Sequence, residues 1–259
     1  MADFSAKDVQ ELRKATGAGM MDAKKALTEA EGDMEAATNI LREKGLAKAS
    51  TRTERDNKEG VVAIASSDAG AALVQLKSET DFSAKSDDFQ KLAQDLADAV
   101  LAGGPEAVAS KEGELEDLKL TVKENIEVGT VAQFLTPEGA TIDAYLHGGG
   151  RAGVLIEATG VDAETLHEIA LHIAFAKPTF LSRDEVSAED IEKERAVLLE
   201  ITKKEGKPEQ AWDKIVEGRL NAWFGDQVLL EQGVFGEKET VAQKIGDGSI
   251  TRFVLAMIG

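Results

Sequence analysis

The chain has 259 residues, a formal net charge of −18 and no cysteine. A nucleic-acid-binding protein normally needs a basic patch, and an anionic membrane repels an acidic chain, so we expect no direct binding to either. The sequence offers no disulfide or thiol chemistry. It shows no signal-peptide pattern and no apolar run of the roughly 18 residues that a membrane span needs, so we expect a cytoplasmic protein.

Residues 1–50 predict a module of three short helices around a thin core. Glycines at positions 17 and 19 break the first two helices, and we expect Gly45 to end the third as its C′ residue. The pattern resembles ubiquitin-associated three-helix modules, which usually bind a partner through a glycine-containing loop. Met20 and Met21 point about 100° apart on a helix, so they cannot both be buried in so small a core.

Residues 51–59 are polar and predict a linker. The next segment, residues 60–140, is expected to form the first half of a core. It combines a hairpin with its turn near residue 68, an amphipathic helix that begins near Asp87, and further strands. One more short helix is expected over residues 118–125.

Residues 141–182 and 228–259 predict the second half of the core. They combine strands with a helix capped by Asp162, and the tail from residue 228 has strand texture. Between them, residues 183–227 alternate charged positions with a narrow apolar seam and turn at a Gly-Lys-Pro sequence. This pattern predicts an antiparallel helical hairpin, or coiled coil, inserted into the core. The fold class is therefore α+β with small antiparallel sheets.

Several apparent catalytic signatures fail on inspection. Residues 147–150 spell the oxyanion loop of some lipases, but the chain has no G-x-S-x-G nucleophile motif. Residues 148–153 satisfy G-x-G-x-x-G, but strand texture on both sides does not fit a dinucleotide site. His167 and His172 are five positions apart, which separates them by roughly 140° on a helix and prevents shared metal binding. The sequence thus predicts no catalytic residues, cofactor or metal.

A strand-to-helix corner lies between the second predicted strand and the helix that begins near Asp87. Phe82 is at its apex, after an acid and before a lysine. One interpretation is a core phenylalanine under its own helix, since phenylalanine is often buried. The other is an exposed aromatic anchor that enters a pocket of another protein.

The chain resembles the bacterial elongation factor Ts family in motifs spread over nearly its whole length. The motifs that carry the resemblance are residues 12–27, 79–85, 145–148, 206–208 and 216–220. The resemblance implies a nucleotide exchange factor that is not an enzyme. Such a factor binds elongation factor Tu in its GDP form and promotes GDP release.

The resemblance also implies roles for individual residues. The loop that enters the GTPase domain of the partner and disturbs its Mg²⁺ and phosphate site would consist of Thr80, Asp81, Phe82, Ser83, Ala84 and Lys85. Contacts with the same partner would come from Arg13, Met20, Met21 and His147. Ser83 stands where the family commonly has valine, which makes this loop less apolar. The helical hairpin resembles a coiled-coil or dimerisation arm. The resemblance is therefore compatible with a homodimer or with a 2:2 complex with the partner.

Two other function classes remain open from the sequence. A scaffold or adaptor would use the three-helix module to recruit a partner without changing nucleotide release. An enzyme of unrecognised type would turn over a small molecule by itself.

Overall fold

The computed structural model describes residues 4–50, 52 and 54–259, without the side chains of residues 46–50. It has the predicted α+β class, with two three-stranded sheets ordered β1-β2-β3 and β4-β5-β6. The strands are β1 (Glu59–Ser67), β2 (Gly70–Ser78), β3 (Glu127–Leu135), β4 (Ala140–His147), β5 (Ala152–Thr159) and β6 (Ser249–Met257). The α-helices are α1 (Ala6–Thr16), α2 (Met20–Glu29), α3 (Met34–Ser50), α4 (Asp81–Ala84), α5 (Asp87–Gly103), α6 (Glu112–Val122), α7 (Ala163–Ala176), α8 (Ala188–Lys204), α9 (Trp212–Gln227) and α10 (Val241–Ile245).

The backbone contacts divide the chain into two compact units. The first contains the residues up to Ala65, Leu73–Ala132 and Met257–Gly259. The second contains Ser66–Ala72 and Gln133–Ala256. None of the helices in the described part of the chain is long and apolar enough to cross a membrane.

Helices α1 to α3 in the first unit form a small core of their own. Leu12 and Leu27 are fully buried there with Ala23, Ala26 and Ala37. Helix α1 ends at Gly17, whose φ of 64° lies in the left-handed region that glycine adopts without strain. This turn is what lets α2 begin only a few residues later, at Met20.

The expectation that Gly45 ends the third helix is wrong, because α3 continues to Ser50. Glycine inside a helix costs only about 1 kcal/mol, so other contacts can override it. A Cβ at Gly45 would lie 2.4 Å from Cδ2 of Leu120 in α6. The glycine therefore permits close approach of α3 to α6 instead of capping the helix.

Helix α5 follows its predicted pattern and buries one face. Its fully or nearly fully buried side chains are Phe89, Leu92, Ala93, Leu96, Ala97 and Val100. The helix expected at residues 118–125 is instead α6, which begins at Glu112 and ends at Val122. Acidic side chains in its first turn favour this earlier start, since they complement the positive end of the helix.

In the second unit, β4 and β5 are antiparallel, with Ala140 opposite Thr159 and His147 opposite Ala152. β6 pairs on the other side of β5, so the last predicted strand does enter a sheet. The core of this unit joins β5, α7 and β6. Its fully or nearly fully buried members include Val154, Ile156, Leu166, Ile169, Ile173 and Ile250.

The prediction of strand from residue 228 onwards is wrong for the first part of the tail. Residues Leu229–Glu231 and Val234–Gly236 form 3-10 turns, and α10 follows a capping box at Thr240. Val228 and Leu229 are fully buried. A short apolar run that is buried on all sides has no periodicity that distinguishes a strand from a turn.

Helices α8 and α9 pack against each other, and the turn that joins them contains Pro208. Arg195 pairs with Glu217, and Arg219 pairs with Glu205. A small apolar cluster contains Val186, Leu220, Phe224 and Val228. The interpretation of residues 183–227 as an inserted coiled-coil arm, and that of residues 1–50 as a ubiquitin-associated-like module, stay predictions.

Candidate partner-binding site

The corner spans residues 78–86 and is built from local hydrogen bonds. The hydroxyl of Ser78, at the end of β2, donates to the carbonyl oxygen of Thr80 at 3.0 Å. Thr80 is extended, with φ −125° and ψ 153°, and its Oγ1 accepts the N–H of Ser83 at 3.3 Å. Thr80 is therefore the N-cap of α4, which satisfies one of the free amides at the start of that helix.

A carboxylate from a distant part of the chain closes the corner. Oε2 of Glu124, in the loop after α6, accepts the N–H groups of Glu79 and Thr80 at 3.1 Å each. Its Oε1 accepts the hydroxyl of Thr80 at 2.7 Å. Oε1 of Glu79 accepts the N–H of Asn125 at 2.6 Å in return. The two segments thus hold each other through reciprocal hydrogen bonds to ionisable side chains, which are among the stronger ones in proteins.

This arrangement points the apex of the corner outward. Ser83 and Ala84 are buried at 8% and 5% exposure, whereas Phe82 is 85% exposed. Of the two interpretations of Phe82, the structure agrees with the exposed one. A single turn of helix with a buried side and an aromatic ring on its open side presents that ring at low entropic cost.

A charged pair flanks the ring. Nζ of Lys85 donates to Oδ2 of Asp81 at 2.6 Å. This hydrogen bond and the positive charge of Lys85 lower the pKa of the Asp81 carboxyl below its ordinary value. Both side chains face solvent, so Asp81 is a carboxylate available to another molecule.

The other predicted contact residues lie on separate elements. Arg13 is exposed on α1, and Met20 and Met21 open α2 with exposures of 44% and 63%. These three residues belong to the same unit as the corner, and His147 belongs to the other unit. His147 is exposed at the end of β4, and its Nδ1 lies 2.8 Å from the hydroxyl of Tyr145.

The structure thus brings residues 80–85 into one continuous feature. The sequence interpretation missed Glu124 and Asn125, which fix that feature from 44 and 46 residues away. No local signal marks them, because they sit in an ordinary polar stretch after a helix. Within the described residues, no three His, Asp or Glu side chains are grouped to hold a metal.

Comparison with known proteins decides the family. The model of the family described as Elongation factor TS matches residues 79–259. A protein named Elongation factor Ts from Clavibacter michiganensis subsp. michiganensis is 40% identical over 277 aligned positions, which cover 100% of both chains. The chain belongs to the elongation factor Ts family.

Other elongation factor Ts relatives agree along the same length. The protein from Deinococcus radiodurans is 40% identical and covers 97% of this chain and 98% of its own. The one from Cutibacterium acnes is 41% identical and covers 97% of each. The resemblance read from the sequence is therefore confirmed. Membership implies a translation elongation factor that acts in nucleotide exchange on elongation factor Tu by binding it.

Proposed function

We propose that this chain binds elongation factor Tu in its GDP form and promotes GDP release by inserting the corner at Asp81 and Phe82. The observation that carries the proposal is an aromatic residue, Phe82, that is 85% exposed on a helical turn that Glu124 holds in place. Exposed aromatic rings with few accessible conformations are the usual anchors of protein interfaces.

In the proposed complex, the ring of Phe82 separates packed elements of the GTPase domain near its nucleotide site. Asp81 brings a negative charge to the place where the partner holds Mg²⁺ and the phosphates of GDP. A carboxylate repels phosphate and attracts the metal, so it weakens the bonds between them. Thr80 and Ser83 shape the corner, Ala84 seats it on its own unit, and Lys85 pairs with Asp81 beside the ring.

Burial of the Phe82 ring alone does not supply the binding free energy that GDP release requires. A ten-thousand-fold weakening of GDP binding requires about 5.5 kcal/mol of differential binding. Burial of one phenylalanine supplies only about 1.5–3 kcal/mol. We therefore assign Arg13, Met20, Met21 and His147 to further contacts that anchor the chain on the GTPase domain. By linkage, GDP then weakens binding of the chain as much as the chain weakens GDP binding.

We also propose the domain organisation expected from the sequence. Residues 1–50 act as a ubiquitin-associated-like docking module, and residues 51–59 link it to the core halves at 60–140 and at 141–182 with 228–259. Residues 183–227 act as an inserted helical hairpin. Val197 and Ile201 of α8 are 52% and 41% exposed, which suits an arm that contacts another chain in a homodimer or 2:2 complex.

The test is release of fluorescent GDP from purified elongation factor Tu, followed with and without this chain in excess unlabelled GDP. The proposal predicts a release rate that rises with chain concentration and then saturates. A complex that forms on a sizing column without any change in the release rate would identify an adaptor and reject exchange activity.

A further inference from the structure

We propose that Tyr145 fixes His147 as a hydrogen-bond donor, so that His147 offers its Nε2–H to a carbonyl or carboxylate oxygen of the partner. The inference deepens the proposed function, and it rests on the contact that His147 makes there. It assigns Tyr145 as a positioning residue and states the chemistry that the partner must present at this point.

The strand geometry brings the participating side chains to one face. Asp143, Tyr145 and His147 occupy alternate positions of β4, and alternate side chains of a strand share a face. α7 packs against β4 and carries His167 towards that same face. The hydroxyl of Tyr145 lies 2.8 Å from Nδ1 of His147, which is a good hydrogen-bond distance.

The position of the Tyr145 ring, and with it that of the hydroxyl oxygen, is itself held. The Tyr145 ring packs against the core of the second unit. The ring of His167 meets it edge to face, with centroids 5.8 Å apart and planes at 87°. Nδ1 of His167 lies 3.1 Å from Oδ2 of Asp143. Tyr145 is thus fixed on its apolar side by the core and on its edge by a histidine that a carboxylate anchors.

The direction proposed for this hydrogen bond then places the proton on His147. A phenol hydroxyl can donate or accept, and in the proposed arrangement that of Tyr145 donates, so the Nδ1 of His147 that accepts it is unprotonated. A neutral imidazole with unprotonated Nδ1 carries its hydrogen on Nε2. Since His147 is exposed at the end of β4, Nε2–H is free to meet an acceptor that arrives from solution.

The tautomer is directly measurable in the full-length chain by ¹⁵N NMR of the imidazole nitrogens. We expect the neutral His147 ring to show an unprotonated Nδ1 and a protonated Nε2. In Tyr145→Phe, which removes only the hydroxyl, we expect both nitrogens to move towards the average of two tautomers. His167 keeps its Asp143 contact in this variant, so its signals serve as the internal control. A protonated Nδ1 in the unaltered chain, or unchanged His147 signals in Tyr145→Phe, would overturn the assignment.

The donor role is tested by affinity for nucleotide-free elongation factor Tu. His147→Gln keeps an amide N–H near the position of Nε2, whereas His147→Met is neutral, of similar length and cannot donate. We expect His147→Gln to bind within about threefold of the unaltered chain and His147→Met to bind about tenfold more weakly. Equal affinities of the two variants would reject the donor role even though the complex forms. No complex with the unaltered chain would reject the proposed function itself, whatever the NMR result.

Discussion

Oε1 of Glu124 accepts a hydrogen bond of 2.7 Å from the hydroxyl of Thr80, which precedes it by 44 residues. The same carboxylate accepts the backbone N–H groups of Thr80 and Glu79. The corner that presents Phe82 is therefore not set by its own sequence alone. It is fixed where a loop after α6 meets the end of β2.

Glu124→Ala removes three hydrogen bonds and leaves two backbone amides without their acceptor. We expect the free energy of unfolding to fall by about 1–3 kcal/mol, since hydrogen bonds to charged groups are worth more than neutral ones. We also expect slower GDP release from elongation factor Tu, because Phe82 is then carried on a looser turn. Urea denaturation and fluorescent GDP release measure the two effects.

The matched control is Glu138→Ala, which removes a carboxylate from the exposed turn between β3 and β4. Exposed substitutions of this kind change stability by no more than about 0.5 kcal/mol. If Glu138→Ala and Glu124→Ala are equally stable and equally active, the corner does not depend on Glu124.

The ion pair between Lys85 and Asp81 leads to a prediction about the pKa of Asp81 and not about stability. In Lys85→Met the hydrogen bond and positive charge that lower the pKa of Asp81 are gone, so its pKa should rise towards the ordinary value of 3.8. NMR titration of the Asp81 carboxyl carbon measures this change. The melting temperature should not change measurably, because both groups are in water and exposed ion pairs contribute little. If the pKa of Asp81 is the same in Lys85→Met and in the unaltered chain, Lys85 does not lower it.

A buried histidine makes stability depend on pH. His172 in α7 is 1% exposed, its Nδ1 accepts the N–H of Phe235 at 3.1 Å, and its Nε2 lies 3.1 Å from Oε1 of Gln232. Phe235 has a φ of 51°, which is uncommon for a bulky residue, and this hydrogen bond supports it. Burial lowers the pKa of His172 below 6.5, while the hydrogen bond to Gln232 acts in the opposite direction.

Because the folded pKa of His172 is lowered, the unfolded chain takes up this proton at a higher pH than the folded chain. Stability is therefore complete above the ordinary pKa of 6.5 and falls as the pH drops below it. Urea denaturation across this range should show a smaller pH dependence for His172→Gln than for the unaltered chain. His167→Gln removes a more exposed histidine from the same helix and is the control. The same slope in His172→Gln and the unaltered chain would contradict the assignment.

Much of the fold was predictable because it depends on local pattern. The buried faces of α5 and α7 follow helical spacing, and the caps at Ser5 and Asp162 mark true helix starts. The predictions that failed concern positions whose structure depends on contacts with residues far away in the sequence. Gly45 reads as a helix end from the sequence, but the neighbouring Leu120 makes it a close-packing position.

The candidate site was likewise predictable from the sequence only in part. The sequence motif placed residues 80–85 at a corner, since a strand precedes it and a helix follows. Whether Phe82 points inward or outward depends on Ser83 and Ala84 being the buried members of the turn. The clamp by Glu124 is a contact across 44 residues, which periodicity and capping rules do not reach.

The central claim is that Phe82 acts on nucleotide release. The most direct measurement is stopped-flow release of fluorescent GDP from elongation factor Tu, driven by the unaltered chain, by Phe82→Ala and by Phe175→Ala. Phe175 is a second exposed ring, at 66%, in α7 of the other unit, so its removal controls for the loss of an exposed aromatic. We expect Phe82→Ala to keep its stability within about 0.5 kcal/mol. The ring of Phe175 lies 5.9 Å from that of Phe235, so the free energy of unfolding of Phe175→Ala is measured before its release rate is compared.

The account predicts that Phe82→Ala slows the stimulated release at least about tenfold, equivalent to about 1.4 kcal/mol of activation free energy. Its affinity for nucleotide-free elongation factor Tu should fall by a smaller factor, and Phe175→Ala should release GDP as the unaltered chain does. GDP release by Phe82→Ala at the rate of the unaltered chain would contradict the account.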